Sequence, residues 1–185
     1  MSPTWPGGQS GVTIGIGYDL GQQTEDTIEK DLSRYFNKST LNRLIACAGI
    51  KGQAARNKVS SLKDIKLPLP DAEDLFHNTH LVRYALLTKN LYPEMVDLPA
   101  DAQSALVSLV YNRGTSVRGA TRKEMLDIKK HVKDGNVEEI AKSIESMKRL
   151  WEGKNLGGLL RRRDDEAALV RTSLRKYTPE ELIYI

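Results

Sequence analysis

A chain of 185 residues with 39% hydrophobic and 28% charged side chains fits one domain, or a domain with a small lobe, and can bury a real core. Its 28 Lys and Arg against 24 Asp and Glu give a net charge of +4, which tilts it toward anionic partners, a wall polymer or another acidic glycan as well as DNA. One cysteine and three histidines exclude a disulfide framework and a cysteine zinc site, and no apolar run is long enough to span a bilayer.

The chain opens Met1-Ser2-Pro3-Thr4-Trp5-Pro6, with neither a basic leader nor an apolar core of a signal peptide. Synthesis in the cytoplasm, with any export by another route, is the expectation. From Trp5 to Gly21 the sequence Trp-Pro-Gly-Gly-Gln-Ser-Gly-Val-Thr-Ile-Gly-Ile-Gly-Tyr-Asp-Leu-Gly sets Val12, Ile14, Ile16 and Tyr18 on alternate positions, which is strand periodicity. Thr13 and Asp19 are its polar offerings. A straight strand would hold them roughly 20 Å apart, so cooperation requires a bend, and Gly15 and Gly17 are where a bend costs least. The same residues also fit a plain glycine-rich turn in which Asp19 bonds to its own backbone. A dinucleotide fingerprint is excluded, because the third glycine and the helix that should open on the loop are missing.

Thr24 reads as an N-cap for a helix over about 24–36, with Ile28, Leu32 and Tyr35 inward. Ser39 starts a second, short helix ended by Gly49, and a polar segment over about 52–60 follows. Cys47 reads as a small core residue. Lys66-Leu67-Pro68-Leu69-Pro70 is a connector, after which Asp71 caps a long helix to about Lys89 with Leu75, Thr79, Val82 and Leu86 on one side. His77 and His80 stand three apart on that helix without further ligands, so no metal is expected. Pro99 opens a central helix carrying Ala102, Ala105, Leu106, Leu109 and Val110, which ends at Tyr111-Asn112-Arg113-Gly114. Asn112 and Arg113 fit either helix capping or ligand contact.

Thr121 with Glu124 and Asn136 with Glu139 form capping-box patterns, predicting helices over about 122–134 and 137–151. Gly153 to Gly158 reads as a flexible loop before a final helix to about Arg175. The run Arg161-Arg162-Arg163 fits a solvated face paired with Asp164, Asp165 and Glu166, or a surface for an anionic polymer, with Trp151 the better ligand contact if the loop lines a cleft. Aromatic residues do not interleave with the basic ones as base-stacking proteins require, so neither nucleic acid nor membrane is an expected partner.

The Trp5–Gly8 and Ser10–Gly21 segments resemble the signature of lysozyme-like muramidase domains found in phage endolysins, in pesticin and in type VI secretion effectors. Ser108 to Gly114 is similar to that family's central helix with its Asn-x-Gly turn, and Met147 to Trp151 with Gly157, Gly158, Leu159 and the arginine run is similar to its C-terminal part. The resemblance implies an α+β, mainly helical lysozyme-like fold over residues 1–185, with a β-hairpin lobe at 1–23 and a helical part at 24–185. It implies a monomer that hydrolyses the bond between N-acetylmuramic acid and N-acetylglucosamine in bacterial peptidoglycan, without cofactor or metal. The protein would act as an endolysin or as an antibacterial toxin with an immunity protein.

By motif, Thr13 matches the family's threonine and Asp19 the aspartate of the pesticin-like branch; Tyr18, Gly17, Asn112, Arg113 and Trp151 are the substrate-binding candidates. Asp19 would activate water, Thr13 would hold that water or the sugar, and inversion is expected. The family's general-acid glutamate lies upstream of the Trp-Pro-Gly-Gly segment, where this sequence offers no counterpart. A fragment of a longer lysozyme is the favoured explanation; a glutamate-less wall-binding relative, or a relocated carboxylate such as Glu25 or Glu94, are the others.

Overall fold

The alternating N-terminal stretch folds back on itself as a minimal antiparallel pair, β1 (Thr13–Ile14) and β2 (Tyr18–Asp19), in register Thr13 with Asp19 and Ile14 with Tyr18. This computed structural model describes all 185 residues. Gly15 and Gly17 carry the reversal at φ +60° and +82°, values that a Cβ would strain. Val12, Ile14 and Tyr18 are buried, and Thr13 is bridged on its other edge by Thr4.

Helices make up most of the remainder, and backbone contacts divide the chain into two compact units, Met1–Val82 and Arg83–Ile185. In the first, α1 (Glu25–Leu32) is capped as expected by Thr24, whose side chain accepts from the Thr27 amide at 3.2 Å. It stops at Leu32, short of 36, and Tyr35 beyond its end donates instead to Asp74. Asn37, not Ser39, caps α2 (Lys38–Ile45), accepting from Thr40 at 2.9 Å. The polar segment forms α3 (Gly52–Val59), which buries Ala55. Ile28, Leu32, Leu41, Leu44, Cys47 and Leu75 join the hairpin's apolar side chains in one core. Burial pushes the Cys47 thiol up, which suits a packing role.

The long helix differs from its expected form in a way that moves its buried face. It starts earlier, as α4 (Leu69–Leu75), with Asp71 in the first turn rather than at the cap, and after a π-turn over Phe76–Leu81 continues as α5 (Val82–Leu91). Thr79 Oγ1 donates to the Leu75 carbonyl and Asn78 Nδ2 to the Asp74 carbonyl, side-chain bonds that compete with the ladder there. A π-turn takes up about one extra residue and rotates everything after it. Leu75 is therefore buried as expected, but Val82 and Leu86 are 38% and 53% exposed, and His80, Thr88 and Leu91 are turned inward instead. His77 stays exposed while His80 is buried, so the two histidines do not share a face.

In the second unit, α6 (Ala100–Arg113) buries Ala102, Ala105, Leu106, Leu109 and Val110 completely, as the expected central helix should. It ends on Gly114 at φ +72°, whose amide donates to the Val110 carbonyl. Around it lie α7 (Lys123–Lys133), α8 (Val137–Ser146), a 3-10 turn at Met147–Leu150 and α9 (Gly157–Arg171), with Met125, Ile128, Ile140, Ile144, Met147 and Val170 in the shared core. Asn136 caps α8, accepting from the Glu139 amide at 3.2 Å. The other capping pattern is not realised, because Arg122 precedes α7 without a side-chain cap and Glu124 is buried against Arg149. Gly157 and Gly158 belong to the first turn of α9, not to a loop, and the helix stops at Arg171, short of 175. No helix is long and apolar enough to cross a membrane.

Candidate functional site

In an antiparallel pair, directly opposed residues project to the same face, so the register places the side chains of Thr13 and Asp19 on one side of the hairpin. The bend that the sequence required occurs at the two glycines that allow it. Asp19 is half-buried, and Gly17 at the tip is exposed.

What Asp19 touches also matches the turn reading of the same residues. Its Oδ1 accepts from the amides of Gly11 at 3.0 Å and Gly21 at 2.9 Å, and its Oδ2 takes a longer share of the Gly11 donor at 3.1 Å. The carboxylate thus caps the 3-10 turn Leu20–Gln22 and ties it to the strand before β1. An ionised carboxylate has about four acceptor positions, so two amides leave Oδ2 with room for a water or a sugar hydroxyl. Thr13 is buried, and its Oγ1 reaches the Gly11 carbonyl at 3.5 Å. Both polar side chains therefore converge on the peptide groups of Gly11.

Gly11 is the residue that sequence reasoning missed. A Cβ there would fall inside the contact radius of Asp19 Oδ1 and of the Gly21 amide, and a Cβ on Gly21 would strike the Ile50 carbonyl. Two backbones meet at this point, which is a requirement between distant segments that no local pattern announces. Tyr18, a substrate-binding candidate, is buried beneath the hairpin: its hydroxyl donates to Asp31 at 2.8 Å and its ring meets His80 edge-on at 5.0 Å.

The remaining candidates lie in the second unit. Asn112 is exposed in the last turn of α6; Arg113 and Trp151 are half-buried, with the Arg113 guanidinium 5.0 Å from the indole centroid and that of Arg163 5.9 Å from it. Arg163, in the middle of the run read as a solvated face, is completely buried. Glu166 holds it: Oε1 accepts from Arg163 Nη2 at 2.9 Å, Arg162 Nε at 3.0 Å and Ser108 Oγ at 2.6 Å, joining α9 to α6. The spacing of Arg162 and Arg163 to Glu166 was legible in the sequence, whereas the burial of the group was not. Glu25 is exposed at the start of α1, and Glu94 is half-buried in the 3-10 turn Pro93–Asp97.

With this geometry in view, the comparison that bears on the chain is a family model, Domain of unknown function (DUF8812), which matches residues 2–157. The chain belongs to that family. The match takes in the hairpin, the central helix and Trp151, and ends at the first residue of α9, so Arg162, Arg163 and Glu166 fall beyond it. No curated protein matches the chain.

Proposed function

We propose that this DUF8812 member is a peptidoglycan hydrolase of lysozyme-like fold that cleaves between N-acetylmuramic acid and N-acetylglucosamine. The observation that carries the reading is the pairing of Thr13 with Asp19 on one face of a glycine-bent hairpin, in a segment whose sequence resembles the muramidase signature. Asp19 Oδ2 is the base: it takes the proton of a water that attacks the anomeric carbon, while its other oxygen, held by Gly11 and Gly21, fixes its direction. Thr13 orients that water, and Gly17, without a side chain, lets the sugar approach the backbone. The leaving oxygen must also take a proton from a general acid; the resemblance gives that role to a glutamate upstream of Trp5, none of residues 1–4 is one, and the residues of this chain therefore account for the activation of water and leave the acid unassigned. Action as an endolysin or antibacterial toxin, as a monomer on the bacterial wall, belongs to the same reading, as does an immunity protein for the toxin case.

Release of reducing ends from purified peptidoglycan tests it. Asp19→Asn and Thr13→Ala are each expected to lower the rate, Asp19→Asn by about 10²-fold or more. Parent-level activity in both variants would remove these assignments. One observation favours a second reading, a wall-binding protein that does not cut: the Asp19 carboxylate is already engaged by two backbone amides. That reading expects the parent to sediment with insoluble peptidoglycan and to release no muropeptides.

A further inference from the structure

The outer face of α7 and the turn before it carry a block of positive charge that nothing on the protein neutralises. Residues 118–133 hold six Lys and Arg against Glu124 and Asp127, a net charge of +4, which equals that of the whole chain. Glu124 offsets none of it at the surface, because it is buried and held by Arg149. Helical spacing sorts the other side chains. Met125, Ile128 and Val132 point into the core, which leaves Lys123, Leu126, Lys129, Lys130 and Lys133 exposed together on the solvent side.

These four lysines form no ion pair. Elsewhere in the unit long cations are matched: Arg171 is held by Glu138 and Glu145, Arg175 by Asp101 and Glu181, Lys142 by Glu139 and Lys148 by Asp164. Asp127, half-buried on the same helix, and Asp134, just past its end, are bonded to none of the four.

Leu126 decides which kind of anion this face fits. It is 52% exposed in the middle of the block, with Lys123 three residues before it, Lys129 and Lys130 three and four after it, and Lys133 a further turn on. A soluble polyanion gains nothing from a leucine there, and α7 has no aromatic side chain on which a base could stack. Protein partners select arginine and aromatic anchors and disfavour lysine. A bilayer uses both parts: the ammonium groups reach anionic headgroups on flexible stems, while the leucine enters the boundary beneath them.

We infer that the outer face of α7 docks this protein on an anionic lipid bilayer. The helix lies along the surface and presents a preformed face, since its opposite side is fixed in the core and the Tyr92 hydroxyl donates to its Met125 carbonyl at 3.1 Å. Attachment is peripheral, for no helix is long and apolar enough to cross. Composition gave no expectation of a membrane; the placement of a bare leucine among unpaired lysines does. The inference is independent of the proposed function, and a chain that cuts no peptidoglycan would dock in the same way.

Co-sedimentation with vesicles of phosphatidylcholine alone, or with roughly one-third phosphatidylglycerol, tests it. At ~0.1 M salt the protein is expected to bind the anionic vesicles at least about tenfold more tightly, since each lysine near such a surface contributes about fivefold. Replacing Lys123, Lys130 and Lys133 with Gln is expected to remove at least about tenfold of that affinity. Leu126→Ala is expected to weaken vesicle binding about threefold or more and to leave binding to a short oligonucleotide or to polyglutamate unchanged. All four substitutions are at exposed positions, and the comparison of the two vesicle compositions needs no variant. Equal binding to both compositions, or vesicle binding indifferent to the three lysines, would overturn the proposal. Vesicle binding that falls with the lysines but ignores Leu126→Ala would also overturn it, assigning the face to soluble polyanions or an acidic protein instead.

Discussion

Asp19 is asked to hold a turn together and, on the proposed function, to activate water, and substitutions can separate the two demands. Asp19→Ala leaves the Gly11 and Gly21 amides without their acceptor and is expected to cost about 1–3 kcal/mol in urea denaturation. Asp19→Asn keeps one carbonyl oxygen for those amides and is expected to stay within about 1 kcal/mol of the parent. An Asn variant that is stable but inactive on peptidoglycan would place the activity loss on chemistry rather than folding. Gly11 gives a second residue-scale case. Its φ is not positive, so Gly11→Ala carries no backbone strain, but the new methyl collides with Asp19 and Gly21, for an expected loss of about 1–3 kcal/mol by the same denaturation. Stability equal to the parent would mean that the two backbones do not meet as closely as the hairpin requires.

At the scale of elements, the π-turn is the clearest case of what the sequence withholds. Thr24, Asn136 and Gly114 announced their helix ends, because capping is chemistry between neighbours, and the α6 core positions followed from unbroken periodicity. The Leu75, Val82, Leu86 spacing obeys that periodicity too, yet bonds from Asn78 and Thr79 back to the preceding carbonyls insert an extra residue and change which side chains are buried. Leu75→Ala is expected to cost about 2–5 kcal/mol and Leu86→Ala no more than about 0.5 kcal/mol, measured side by side by chemical denaturation; equal costs would restore the uninterrupted helix. The contact between Tyr35, just past α1, and Asp74 of α4 has a pH signature. Burial first, and Asp74 next, push the Tyr35 phenol from 10.0 to about 12. A pKa raised in the folded state gives stability that is complete below pH 10 and is lost as pH rises through about 12. Ultraviolet titration of phenolate should show this late ionisation in the parent and lack it in Tyr35→Phe, and the stability difference between the two should shrink above pH 10.

Across the whole molecule, charge and packing are divided in the same place. Each unit has its own apolar core, and Met1–Val82 carries nine Lys and Arg against nine Asp and Glu, while Arg83–Ile185 carries nineteen against fifteen. The net charge of +4 was plain from composition, but its confinement to the second unit needed the boundary at Val82, which falls inside helical chain where no linker composition marks it. The burial of Arg163 was hidden for a related reason: a run of arginines reads as surface until a long-range partner, Ser108 on α6, shows Glu166 facing inward. If anionic wall polymer is attracted by the second unit's surplus, position should matter as well as total charge. Replacing Arg118, Lys129 and Lys130 with Gln, or Lys30, Lys38 and Lys63 with Gln, leaves the same net charge and in each case removes three exposed cations. At ~0.01 M salt, where the Debye length is about 30 Å, the two triple variants should bind peptidoglycan sacculi about equally, because the whole molecule is sensed at once. At ~0.15 M, where it is about 8 Å, only local charge counts, and the second-unit variant should sediment with the sacculi several-fold less than the first-unit variant. Equal sedimentation at the higher salt would assign the attraction to net charge alone and leave the second unit without a privileged anion-binding face.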